Sequence, residues 1–103
     1  MSAPNADVGA ITAPNDLGLD SRAAFREAAF QELARLPEGG VLRVDLSVTR
    51  RVDSAGLSVL MLIQRRAADR SQRVVLQAPS EEFRYLLALT QLSDLFVLEP
   101  RPA

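Results

Sequence analysis

Apolar side chains recur along this chain in two different periods, and the periods alternate. Between Ser21 and Leu36, Ala24, Phe25, Ala28, Ala29, Leu33 and Leu36 return every three or four residues. That spacing gives one stripe of an amphipathic helix, with Arg22, Arg26, Glu27, Gln31, Glu32 and Arg35 off it. Asp20 and Ser21 are both able to cap its start, and Pro37 with Gly39-Gly40 ends it. Val41, Leu42, Val44, Leu46 and Val48 follow as a β-branched-rich strand buried on at least one face. After the polar step Thr49-Arg50-Arg51, a second helical pattern runs from Ser54 to about Arg70. Gly56, Leu60, Ile63 and Ala67 make its sheet-facing side. Leu57, Met61 and Leu62 lie off that side, so the early turns are apolar nearly all round. Either a second layer of this chain or a partner covers them.

The rest of the chain repeats the alternation. Val8–Ala13 suits a short edge strand, and Pro14-Asn15-Asp16 turns the chain after it. Arg73–Ala78 is a strand. Ser80 caps a third helix whose first turn carries Glu81 and Glu82 at the positive end of the dipole. Phe83, Leu86, Leu87 and Thr90 form its stripe, and Leu95–Leu98 is a last strand. Strands alternating with helices predict an α/β fold: one domain with a mixed, mainly parallel, four- to five-stranded sheet, right-handed crossovers and helices covering its faces. Leu42, Val44, Leu46, Leu60, Ile63, Val75 and Phe83 are the expected core. Residues 1–7, small and polar, are expected to be a disordered segment before a domain spanning 8–103.

Composition narrows the chemistry. The 103 residues are 48% hydrophobic and 24% charged, with net charge −1, so nothing marks the chain for nucleic acid. All 12 basic residues are arginine, and there is no cysteine and no histidine. Ser-His-Asp and Cys-His nucleophile systems and the common zinc sites cannot be built from this alphabet. No glycine-rich loop followed by lysine offers a phosphate cradle. The expectation is a protein that is not an enzyme, with no catalytic residue, no cofactor and no metal. The first ten residues lack the layout of a secretory signal, and no apolar run approaches the ~18 residues of a membrane span. A cytoplasmic protein without membrane insertion is expected.

One turn stands out. Val52-Asp53-Ser54-Ala55-Gly56-Leu57 joins the polar step to the second helix, with Ser54 at the expected N-cap and Val52 placed to pack back on the first turns. Strand, polar step and Asp-Ser-Ala-Gly-Leu opening a helix, in a chain of about this length, resemble the STAS domain, the fold of bacterial anti-sigma factor antagonists. The resemblance runs from Leu17 to Leu98. Leu17-Gly18-Leu19-Asp20 resembles that family's Gly-Glu-Leu-Asp or its shorter variants: Gly18 and Asp20 align, but the glutamate does not, since a leucine sits between them. Leu89-Thr90-Gln91-Leu92 resembles its Thr-Gly-Leu, with Gln91 in place of the glycine. A full N-terminal hairpin and a final helix, common in the family, have no counterpart in the pattern here.

The resemblance implies a phosphorylation-switched binding module that sequesters an anti-sigma factor and so frees a sigma factor, in the regulation of transcription. The partner would be an anti-sigma factor and serine kinase of the GHKL type, with a serine phosphatase reversing the mark. Ser54 is the implied phosphorylation site, and Asp20, Asp53, Ser54, Ala55, Gly56, Leu57, Ser58 and Leu62 are the implied partner-binding residues. Two duller roles run beside these: Asp20 as a helix cap, and Gly56 as a close-packing position. Two other readings remain beside it. One is a constitutive STAS subunit of a membrane transporter of the lipid ABC type, binding an ATPase. The other is a small-molecule binder using the helix start as an anion site.

Overall fold

The order of strands across the main sheet follows their order along the chain. A computed structural model describes residues 7–100. Its elements are β1 (Val8–Thr12), β2 (Asp16–Leu17), α1 (Arg22–Arg35), β3 (Val41–Asp45), β4 (Arg51–Val52), α2 (Ser54–Asp69), β5 (Arg73–Gln77), α3 (Glu81–Leu89), a 3₁₀ turn (Ser93–Leu95) and β6 (Val97–Glu99). The main sheet runs β1-β3-β5-β6, every neighbouring pair parallel, with Leu42 opposite Gly9 and Val74, and Val44 opposite Ile11 and Leu76. β3 is therefore interior and β1 an edge, as the pattern predicts.

Because each crossover steps in the same direction and is right-handed, α1, α2 and α3 fall on one face of the sheet. Leu42, Val44, Leu46, Val74 and Leu76 point into that face. They join Phe25, Ala29 and Leu33 of α1, Val59, Leu60, Ile63 and Ala67 of α2, and Phe83 and Leu87 of α3 in one core. All seven expected core residues are buried. The expectation that helices cover both faces is corrected: among the described residues the second face carries none. Two alanines of the α1 stripe, Ala24 and Ala28, are exposed, because Phe25, Ala29, Leu33 and Leu36 already span the width of the contact. Thr90 of the α3 stripe is exposed as well.

A second, two-stranded parallel sheet pairs β2 with β4, Leu17 opposite Val52. The pattern does not show it, since two residues hold no period. It ties the chain before α1 to the chain before α2. Elsewhere, the Arg66 guanidinium of α2 sits 4.2 Å from the centre of the Phe30 ring of α1. Buried Gln72 donates through Nε2 to the Leu33, Leu36 and Pro37 carbonyls, capping the end of α1. Of the expected disordered segment, residues 1–6 lie outside the described residues, and the Asp7 carbonyl accepts from Val41 N at 2.8 Å.

Candidate partner-binding site

Asp53, not Ser54, is the N-cap of α2. Its backbone is extended and its Oδ1 accepts from Gly56 N at 2.9 Å, while the Leu57 amide already reaches the Asp53 carbonyl. Both residue types cap well, and the β2–β4 pairing decides between them. The Asp53 amide donates to the Leu17 carbonyl at 3.2 Å, which holds residue 53 in extended backbone and starts the helix one residue later. Ser54 becomes the first helical residue, and it is exposed. Gly56 and Leu57 have partners for their amides, so the Ser54 and Ala55 amides are the first-turn donors left over. Val52 and Leu57, the residues flanking this first turn, both pack on the core.

The loop before α1 closes against the same turn. Leu19 N donates to the second carboxylate oxygen of Asp53 at 3.4 Å. Gly18 lies so close to this carboxylate that a Cβ at position 18 would run into Oδ2. A Cβ at Gly56 would likewise strike the Leu17 carbonyl oxygen. Two glycines thus let the β2–α1 loop and the start of α2 touch as one surface. On it stand Asp20, Asp53, Ser54 and Ser58, all exposed, with Leu62 further along α2. Ala55 and Leu57 are half-buried beside them. Gly56 is buried, so of the expected partner-binding residues it alone offers a partner no surface.

Leu19, 66% exposed, is absent from the set expected from the sequence. A leucine alone separates Gly18 from Asp20, where the family's Gly-Glu-Leu-Asp has a glutamate as well. An apolar residue therefore stands on a solvent-facing loop whose backbone touches Asp53. Asp20 caps nothing. Ser21 is the N-cap position of α1 without a side-chain cap bond, and its hydroxyl instead accepts from Gly18 N and donates to the Asp16 carbonyl. Beside the turn, a cleft of about 430 Å³ separates β4 from α3, with Arg50, Arg51 and Asp53 on one wall and Ser80, Phe83 and Leu86 on the other. No group of three potential metal ligands occurs among the described residues. Nor is any described helix long and apolar enough to cross a membrane.

Fold and site together define a small α/β domain whose distinctive feature is a solvent-facing turn. The chain belongs to the STAS domain family: the family model described as "Mlab, STAS domain" matches residues 4–99. Among solved structures it is similar to TM1081 of Thermotoga maritima, a protein provisionally assigned as an anti-sigma factor antagonist. Against the crystal structure of that protein the TM-score is 0.76 at 22% identity, over 94% of this chain and 80% of the other. Its NMR structure gives 0.75 at 22% identity, over 92% and 75%. A comparison with curated proteins found no match. The fold expected from the sequence is thus the fold observed.

Proposed function

We propose that this chain is an anti-sigma factor antagonist, a binding module rather than an enzyme, switched by phosphorylation of Ser54 in the cytoplasm. The observation that carries the reading is the division of labour at the α2 start. Asp53 caps the helix, which leaves the Ser54 hydroxyl exposed and the Ser54 and Ala55 amides available to an anion. A phosphate adds about −1.5 to −2 charge at the positive end of the helix dipole, where it disturbs neither cap nor core. The surface formed by Asp20, Asp53, Ala55, Leu57, Ser58 and Leu62, with Leu19 added, then changes charge without refolding. A GHKL-type anti-sigma factor kinase docked over it meets like-charge repulsion and desolvation once the mark is made. A serine phosphatase restores the binding state.

The test uses the intact protein with the anti-sigma factor kinase of its host. Intact-mass analysis after incubation with ATP should show one phosphate, lost in Ser54→Ala. Ser54→Ala should bind the kinase constitutively, while Ser54→Asp weakens binding by roughly a hundredfold, a loss of about 2.7 kcal/mol. Unmarked Ser54, together with Ser54→Asp binding as tightly as the unaltered chain, would overturn the switch. A second reading is supported by the description of the matching family model as "Mlab, STAS domain". It is a constitutive STAS subunit of a lipid ABC-type transporter. In that case an ABC ATPase binds the chain equally well with serine, alanine or aspartate at position 54.

A further inference from the structure

The small sheet has a free edge, and it lies along the cleft. β2 covers one side of β4, and α3 stands off from the other across about 430 Å³ of open space. That is within the ~300–1,000 Å³ of pockets that enclose a ligand. The Arg51 and Asp53 amides donate to the Asn15 and Leu17 carbonyls, each at 3.2 Å. Ladder bonds point to alternate sides from one residue of a strand to the next, so the N–H and C=O of Val52 face away from β2. Such an edge is a template for another strand. Among the described residues no strand pairs with it.

The side chains around the edge define the strand that fits it. Neighbouring strands set residues in register on the same face. On β2, Asp16 is in register with Arg51 and Leu17 with Val52, an acid opposite the arginine and an apolar side chain opposite the valine. The free edge makes the same demand. Beyond Val52 the cleft is floored by buried Phe83 and half-buried Leu86. Arg50 and Arg51 are exposed on the β4 wall, and among the described residues neither is in an ion pair. The Asp53 carboxylate on that wall is occupied by the Gly56 and Leu19 amides, and Glu82 stands on the opposite wall. We infer that β4 receives an extended peptide segment of a partner protein. The segment bonds through its backbone to Val52, lays a bulky apolar residue over Phe83 and Leu86, and sets an acidic neighbour at Arg50 and Arg51. Neither a kinase nor a phosphate enters this contact, so it stands apart from the Ser54 switch.

Random peptides displayed on phage and selected on the intact chain test it, the recovered sequences then being synthesised and titrated by calorimetry. They should share an acidic residue next to a bulky apolar one. Arg51→Glu should weaken the tightest of them about tenfold, and exchanging the peptide's acid for lysine should restore the loss. Methylating the peptide's amide nitrogens one at a time should weaken binding at alternate positions only, the mark of a strand paired on one side. Arg26→Glu, the same change on the exposed side of α1, should alter nothing. Thermal unfolding checks that both variants remain folded, and the methylation series needs only the unaltered chain. A selection that yields no binder overturns the inference, as do binders without the acidic and apolar pair. So does binding that Arg26→Glu lowers as much as Arg51→Glu, or that tolerates methylation at every position.

Discussion

Gly56 stands where the first turn of α2 passes the Leu17 carbonyl, with no room for a methyl group. Gly56→Ala would gain about 1 kcal/mol of helix propensity, but overpacking against backbone costs up to about 3 kcal/mol. A net loss of about 2 kcal/mol is expected by denaturant unfolding, together with weakened contact between the β2–α1 loop and α2. The cap at residue 53 gives a second expectation. Asp53→Ala removes the Oδ1 bond to Gly56 N and the Oδ2 bond to Leu19 N, for a loss of about 1–2 kcal/mol. Ser54→Ala, at the first helical position, should cost only a few tenths, which keeps its use as a binding probe clean. Glu32 adds a pH dependence. The hydrogen bond from Arg35 holds its carboxyl below the ordinary carboxylate value, helped by the Ala10 backbone and opposed by desolvation. A lowered folded pKa contributes stability above the ordinary value that is lost as pH falls through the folded one. The exposed pair makes this small. Unfolding midpoints of Glu32→Gln and the unaltered chain should converge in acid.

α2 and α3 end in the same way, and with the wrong residue for it. After α2, Ser71 has φ 55° and donates to Ala68 O, while Gln72 N reaches Ala67 O. After α3, Gln91 has φ 60° and donates to Ala88 O, while Leu92 N reaches Leu87 O. These are Schellman ends, whose left-handed position favours glycine. Gln91→Gly should therefore raise the unfolding free energy by about 0.5–1 kcal/mol, the relieved strain less the entropy of the unfolded glycine. Ser80→Ala at the other end of α3 should lower it by about 1 kcal/mol through loss of the bond to Phe83 N. The legibility of the elements follows from their length. β3, α2 and α3 were plain in the sequence because five to sixteen residues hold a period. β2 and β4 were not, and with them went the choice of Asp53 over Ser54 as cap, which a backbone bond to Leu17 decides. Nor was the exposure of Leu19, which no period sets and which follows from the loop closing on Asp53.

The direction of winding is a property of the whole molecule and is written in no single strand. Alternating polar residues at Arg43, Arg73, Gln77 and Glu99 were nonetheless compatible with one exposed face, where a doubly covered parallel sheet has near-continuous apolar runs. Protection against amide hydrogen exchange should follow strand order: slowest in β3 and β5, which are paired on both sides, and faster in β1 and β6. A final consequence concerns how the chain assembles. No strand of the main sheet must insert between two already paired, and each ladder closes over a single helix. The entropy of loop closure is therefore met in three similar instalments, none much larger than the others. A sheet laid down by accretion at one edge needs no distant segment to nucleate it. Such a chain should fold in a single kinetic phase, faster than parallel sheets whose first strand ends in the middle.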